Sequence, residues 1–473
     1  MDEQQVVSFW SAIQTTIRDI CKRYDATWRK RCRILSTQFL VLFIFKLVLS
    51  KNKQGYNSTL SELWDTMSGN SDIQLPQEKP IAASSICEAR QKMPTEIFNE
   101  LNKEVVAEFN QSRPSSTWRG HRLFGTDGSK LNLPRELEKY GYKILNPTNQ
   151  HYPTGLFSTL YNLSQGVIYD FSLESHLDER RSVLEHMKHL KTGDVLILDR
   201  GYFSYYLLHE SIMRGIHLVC RLPRGKSNKA VTEFWDSNET DIIINYTPSY
   251  AVVNDLKKKG IKLSIKESPL RLVKYTIDKE VYVCATTLIG ANYPESEFPA
   301  LYHGRWGLEE LYKISKEFID VEDFHSKSER GVKQELYAHC LLVNLARMLE
   351  KDANDSLPPQ EKITDESQPK DSYWQGFCEE VRTIKINFKN CLLVTGRNVE
   401  RLFLAAKNTV CNWVFRAIES IAKVRQKIRP GRHYPRVSHK PINKWTHGDR
   451  KKQAGKKNKM KDVIYLFQSD AIA

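Results

Sequence analysis

Across 473 residues, 71 Lys and Arg against 56 Asp and Glu leave a formal net charge of +15, with 40% hydrophobic and 10% aromatic content. The length suits about three domains, and the apolar content is ample for buried cores, which excludes a chain disordered throughout. The positive excess leaves three readings open: nucleic acid, an anionic membrane surface, or solubility alone.

The first residues, MDEQQVVSFW, are acidic and polar, where a secretory signal needs a basic start and an apolar run, so a cytoplasmic protein is expected. The longest apolar stretch, Leu35 to Ser50, is interrupted by Lys46 and is shorter than the ~20 residues of a membrane span. No membrane association is expected from it. Nine cysteines (Cys21, Cys32, Cys87, Cys220, Cys284, Cys340, Cys378, Cys391 and Cys411) are scattered and never form CxxC; they read as reduced core thiols.

From Val6 to about Asn110 apolar residues recur at helical spacing, with Arg18, Lys22, Arg23, Arg29, Lys30, Arg31 and Arg33 interspersed. Ser85 and Glu88 have the spacing of a capping box opening a short helix through Lys92, and Ile97, Leu101, Val105 and Phe109 mark a second helix after Pro94. The two suit either a helix-turn-helix or an ordinary packed pair. After Arg113-Pro114-Ser115-Ser116 the period becomes that of strands: Arg122 to Asn132, Leu156 to Leu163, Val167 to Leu173 and Val195 to Asp199, with helices at Asp178 to Leu190 and Tyr202 to Arg214. That order predicts an α/β or α+β layer with helices on a mixed sheet. Ala230 to Ile289 is rich in β-branched residues and reads as a β insertion. A helical pattern returns at Tyr302 and runs, with a break near Ser326 to Gly331, to about Leu349. Lys351 to Ser372 reads as a solvated linker, Trp374 to Lys427 as a smaller helical unit, and Arg429 to Lys461 as a basic tail suited to an anion.

Three acids stand out by setting. Asp127, in LFGTDGSKLNLP, is expected to end a strand before a sharp turn at Gly128. Asp199, in DVLILDRGYFS, falls at the C-terminal end of a buried strand, where ligands sit in α/β sheets. Glu309 belongs to a third group. At about 100° per residue, Tyr302, Arg305, Glu309 and Lys316 point to roughly 0°, 300°, 340° and 320° of one helix, opposite Gly307, Leu311, Ile314 and Phe318. Glu310 falls off that face. The same spacing also makes Arg305 and Glu309 an ordinary i,i+4 pair on a solvated face. Taken together, three carboxylates without His or Cys form the oxygen-only environment that Mg²⁺ or Mn²⁺ prefers, and two such ions activate an attacking oxygen and stabilise a departing one at a phosphodiester. Arg and Lys beside them would hold phosphate oxygens.

The spacing YxxRxxxExxxxxxK from Tyr302 to Lys316 resembles the Tyr-Arg-Glu-Lys signature of insertion-sequence family four, bacterial DDE transposases on a ribonuclease H-like fold. GTDGSKLNLP and LILDRGYFS resemble that family's first and second acid regions, and FHSKSERGVKQELYAHCLLVNLAR its helix after the signature, so the likeness covers about residues 119 to 350. It implies metal ligation by Asp127, Asp199 and Glu309, two Mg²⁺ or Mn²⁺ ions per site, and contact of Tyr302, Arg305 and Lys316 with DNA phosphates. The implied fold is α/β: a ribonuclease H-like catalytic core with a β-rich insertion, flanked by helical N- and C-terminal domains. Its divisions are a helical DNA-binding domain (1–118), a first core part (119–222), the insertion (223–299), a second core part with the glutamate helix (300–350), a linker (351–373), a C-terminal helical domain (374–428) and the basic tail (429–473). In some members an aromatic of the insertion stacks on an extruded base. Trp235, Tyr246, Tyr250, Tyr275 and Tyr282 are available here, and each also reads as a strand-packing residue.

The function implied is a transposase that binds terminal inverted repeats and catalyses DNA cleavage and strand transfer. Its expected partners are double-stranded transposon ends and target DNA, with a homodimer assembled on DNA and a nucleoid-associated cytoplasmic location. A non-catalytic DNA-binding descendant and a metal-dependent nuclease without strand transfer are the alternatives. Binding to a membrane surface would need a basic amphipathic helix, whereas the tail is rich in Gly, Pro, Asn and Gln.

Overall fold

The computed structural model describes residues 3–29, 35–50, 54–70, 73, 77–147, 151–225, 228–265, 267–277, 279–318, 320–357, 384–406 and 409–427. The expected basic tail, most of the expected linker, and Cys32 and Cys378 lie outside the described residues.

Five helices come first: α1 (Glu3–Trp28), α2 (Thr37–Leu49), α3 (Tyr56–Ser68), α4 (Ala83–Lys92) and α5 (Glu96–Ser112). The long apolar run forms α2, capped by the Ser36 hydroxyl accepting from the Phe39 amide. Its interrupting charge, Lys46, pairs with Glu400 and donates to the Gly396 carbonyl, so α2 is a core helix. Among the described residues no helix is long and apolar enough to cross a membrane. The expected capping box does not form. The α4 helix starts earlier, with Ala82 as its cap and Ser85 inside its first turn. Cys87 on α4 is exposed, contrary to the expectation of core thiols, whereas Cys21, Cys220, Cys284, Cys340 and Cys391 are buried.

The strands form one eight-stranded mixed sheet in the order β3-β2-β1-β4-β5-β8-β7-β6. In chain order it comprises β1 (Leu123–Asn132), β2 (Thr154–Asn162), β3 (Val167–Glu174), β4 (Val195–Leu198), β5 (His217–Leu222), β6 (Asp241–Tyr246), β7 (Ser268–Ile277) and β8 (Glu280–Thr286). The strands β1, β2 and β3 pair antiparallel, β4 and β5 continue parallel to β1, and β8 joins β5 antiparallel. Helices α6 (Glu179–His186) and α7 (Tyr205–Met213) connect β3 to β4 and β4 to β5. The stretch read as a β insertion carries two helices as well, α8 (Lys229–Asp236) and α9 (Tyr250–Lys258), and its three strands extend the central sheet.

After β8 the chain forms α10 (Phe298–His303), α11 (Trp306–Lys313), a π-helical turn (Ile314–Phe318) and the long α12 (Glu329–Asp355). A two-stranded ribbon, β9 (Ile384–Ile386) with β10 (Arg425–Lys427), brackets α13 (Phe388–Leu404) and α14 (Val410–Ala422). Nineteen residues of α12 are buried because α2, α5, α13, α14 and β3 all pack on it.

Strand β3 is an edge whose unpaired backbone groups would invite aggregation. Here they are met by side chains. Asn344 of α12 accepts from the Ile168 amide (2.8 Å) and donates to the Ile168 carbonyl and to Asn102 of α5 (both 2.7 Å), while Asn102 donates to the same carbonyl (3.1 Å). The Tyr337 hydroxyl accepts from the Leu173 amide at 3.3 Å. Asn344→Leu is therefore expected to cost about 2–4 kcal/mol, because it leaves buried backbone groups of Ile168 without this partner. A lower urea midpoint at unchanged slope would report it.

His339 on α12 is buried, and its Nδ1 finds no hydrogen-bond partner among the described residues. Burial pulls the imidazole down to about 4, against the opposing influence of Glu335. The folded chain thus favours the neutral ring. Stability from this group is full above about pH 6.5, its unfolded value, and is lost as pH falls through 6.5 toward 4, by about 3 kcal/mol in total. Urea midpoints at pH 7, 5.5 and 4 should show a fall that His339→Gln flattens.

Candidate active site

The register of the sheet brings the first two acids together. Strands β1 and β4 pair in parallel, with Leu123, Phe124 and Gly125 opposite Val195, Leu196 and Ile197. Two residues beyond the last pair stand Asp127 on one strand and Asp199 on the other, on the same face of neighbouring strands. The VLIL run of β4 is wholly buried, so Asp199 emerges at the strand's C-terminal end as expected. Asp127 differs from expectation: β1 continues through Asn132, and Gly128 stays in the strand opposite Ser158. Glycine is required there by close approach, since a Cβ at 128 would come within 2.8 Å of Leu156 and 3.1 Å of Glu179.

Gly125 sets the third acid. A Cβ on it would lie 2.7 Å from Leu308, so its absence lets α11 sit directly on β1. Leu308 and Leu311 are buried there, and Glu309, between them in sequence, is partly exposed. Arg305 joins the group: one guanidinium nitrogen lies 3.4 Å from Asp127 Oδ2, and the other donates to Glu309 Oε1. The Tyr302 hydroxyl donates to Asp199 Oδ1 at 2.9 Å. The i,i+4 pair and the shared face are therefore one arrangement. The single helix expected from Tyr302 to Lys316 is absent, because α10 ends at His303, α11 ends at Lys313 and the π-turn follows. Lys316, on that turn, donates to the Lys130 carbonyl at 2.9 Å, three residues along β1 from Asp127. Burial lowers its ammonium below the ordinary value, with Glu322 opposing.

Residues outside the sequence reading complete the surroundings. The Tyr202 hydroxyl donates to Asp127 Oδ1 at 3.1 Å, and Tyr312 donates to the Asp127 carbonyl at 2.6 Å. Glu179, at the start of α6, is a fourth carboxylate nearby; burial raises it, as do Asp127 and Asp199, while Tyr202 opposes. Only the GYF following Asp199 offered a signal for Tyr202. Behind β1, Ser158, His186 and Asp170 form a chain with contacts of 2.9 and 2.7 Å. The sequence of contacts is that of a nucleophilic triad, but Ser158 is 2% exposed and also donates to the Asp127 carbonyl, so no substrate carbonyl reaches it.

The two aspartates are pushed apart electrostatically. Burial raises Asp127, and Asp199 adds to the rise, more than Arg305, the Gly128 amide and Tyr202 lower it. For Asp199 burial acts in the same direction, but Arg305, the Arg200 amide and Tyr302 leave the carboxyl below its ordinary value. Burial also works against the Arg305 charge, yet Tyr302, Asp199, Glu309 and Asp127 hold the guanidinium above its usual range. The donor chemistry, carboxylate oxygens alone, fits a hard divalent cation. In this conformation the negative charge is met by Arg305, and no group of three or more His, Cys, Asp or Glu side chains is gathered as a metal-holding set among the described residues.

Of the insertion aromatics, Tyr275 stacks on Tyr282, Tyr246 stacks on Tyr205, and Trp235 packs against the α6–α8 side of the sheet. Tyr250 is different, at 81% exposed.

No curated protein matches the chain. A cryo-EM structure of the piggyBac transposase synaptic complex with hairpin DNA is similar over 87% of this chain and 85% of that one, with a TM-score of 0.40 and 10% identity. Residues 118–345 match the family described as Transposase DDE domain, a segment that contains Asp127, Asp199, Tyr302, Arg305, Glu309 and Lys316 and supports a DDE transposase.

Proposed function

We propose that the chain is a DNA transposase of insertion-sequence family four, binding the terminal inverted repeats of its element as a homodimer and catalysing DNA cleavage and strand transfer. The observation that carries this reading is the meeting of Asp127, Asp199 and Glu309 around one guanidinium within the segment matching a transposase domain. The strand order β3-β2-β1-β4-β5, with the first three antiparallel and the last two parallel to β1, supports a ribonuclease H-like core. The remaining strands are then the insertion, and the helices before residue 118 and after 374 are the flanking domains.

Asp127, Asp199 and Glu309 would hold two Mg²⁺ or Mn²⁺ ions. When bound, such ions supply an activated water or 3′-hydroxyl and stabilise the departing oxygen. The chain's own part is orientation. The Gly128 amide and Tyr202 occupy one oxygen of Asp127, and the Arg200 amide and Tyr302 one oxygen of Asp199, which aims the other oxygens. Arg305, Tyr302 and Lys316 would exchange their present partners for phosphate oxygens, Arg305 bidentately.

The test is incubation of the protein with its own element ends and Mg²⁺. Nicking that exposes 3′-hydroxyls, followed by their joining to a second duplex, is the expected result. Nicking without joining would indicate a nuclease, and binding without nicking a non-catalytic DNA-binding protein.

A further inference from the structure

The sheet has a second edge, and it is open. Strand β6, with the sequence DIIINY, pairs with β7 on one side only. Two fixed points give the direction of its hydrogen bonds. The Lys274 amide donates to the Thr240 carbonyl at 2.7 Å, one residue before the strand, in the register that continues as Asp241 with Val273. At the other end Asn245 stands opposite Pro269, which has no amide to give. Antiparallel ladders bond at alternate residues. Ile242, Ile244 and Tyr246 therefore turn their amides and carbonyls toward β7, and Asp241, Ile243 and Asn245 turn theirs outward. On β3 side chains meet such groups; on β6 the outward groups have no hydrogen-bond partner among the described residues.

The side chains follow the same alternation. Ile242, Ile244 and Tyr246 pack against the buried cluster that holds Val231 and Phe234 of α8. On the opposite face Ile243 is 57% exposed, and Asn245 is exposed beside it. The Asp241 carboxylate is matched by Arg271, with contacts of 2.8 and 2.5 Å. Lysine, proline and bulges are the usual guards of an edge, and β6 carries none of them.

We propose that β6 pairs antiparallel with β6 of a second copy of the chain, about a twofold axis that passes through Ile243 perpendicular to the sheet. Two eight-stranded sheets then become one. Such an axis keeps each face continuous. It places Ile243 opposite Ile243 of the second copy, Ile242 opposite Ile244, and Asp241 opposite Asn245. Every outward amide meets an outward carbonyl, an apolar pair forms at the axis, and no two charges of one sign face each other. Moving the axis by one residue leaves one outward residue of each strand unmatched. The symmetry of the outward set about Ile243 is what selects a second copy over an unrelated strand, since a twofold contact must be complementary to itself. The contact lies apart from the acids and requires no DNA, so it stands whether or not the chain is a transposase.

Full-length protein freed of nucleic acid is followed by sedimentation velocity over a range of concentrations, with hydrogen exchange of the β6 amides read in the same samples. Wild type is expected to pass from monomer to dimer on concentration. The amides of Asp241, Ile243 and Asn245 should slow as the dimer forms, while those of Ile242 and Ile244 are slow throughout. Ile243→Lys and Ile243→Glu change an exposed side chain and should melt as wild type does. Each is expected to weaken the dimer by about tenfold or more, because like charges then meet at the axis. An equal mixture of the two variants should associate again, which damage to the strand would not produce. Wild type that stays monomeric, a dimer that both charge variants leave intact, or a mixture that fails to associate would each overturn the proposal. So would outward amides that are slow at every concentration, since a segment of the same chain would then cover the edge.

Discussion

Asp127→Asn, Asp199→Asn and Glu309→Gln are each expected to reduce divalent-metal-dependent cleavage of DNA ends by about 10²–10³-fold or more, the scale of removing one group that stabilises charge at a reacting centre. End binding should survive. The amide variants keep the size of the carboxylates and can accept the hydrogen bonds that Tyr202 and Tyr302 now make, so loss through unfolding is separable by circular dichroism and melting. Cleavage assays on end-bearing duplexes, run beside gel-shift titrations of the same preparations, check the split between chemistry and binding. Near wild-type cleavage in any one of the three would remove that residue from the reacting centre.

Arg305→Ala should act in two opposite directions. Without DNA, the guanidinium neutralises Asp127 and Glu309 and occupies the space between them; removing it is expected to tighten binding of Mn²⁺ to the free protein, measured by electron paramagnetic resonance. With DNA, a lost phosphate contact should weaken end binding and reduce the slope of log K against log salt by about 0.9. A purely structural arginine would move neither quantity in this pattern. Unchanged Mn²⁺ affinity together with an unchanged slope would count against both roles.

The sequence revealed Asp199 well because its cue is local: four apolar residues, then an acid and a glycine, describe a buried strand and its end. Asp127 was located but its surroundings were not. The letter Gly128 serves equally for a turn and for close packing, and only Leu156 and Glu179, distant in the chain, decide between them. The face shared by Tyr302, Arg305 and Glu309 followed from spacing, yet the arithmetic assumed one uninterrupted helix. A π-turn shifts the hydrogen bonding to i→i+5, and Lys316 sits on that turn, docked on a strand carbonyl. Composition marked Ala230 to Ile289 as β-rich without setting its strands, and β5 had no reading at all; β8 joins β5 through pairs such as Cys220 with Ala285, whose partners are far apart in sequence. Tyr312 and Glu179 had no signature, and Tyr202 only the GYF after Asp199, because an aromatic or acid that reaches a site through tertiary packing has the same local pattern as one that does not.

The side-chain cover on β3 carries a consequence for dissecting the protein. Asn102 lies on α5, before the matched segment begins at residue 118, while Asn344 and Tyr337 lie on α12, whose other faces press against α2, α13 and α14. A fragment cut to the matched boundaries would carry every candidate acid and keep Asn344 and Tyr337, but it would lose Asn102 and leave α12 shortened and stripped of its apolar neighbours. With nothing holding that helix from behind, the cover on β3 would loosen and expose the strand to edge-to-edge pairing, so the helices on either side help keep this edge closed.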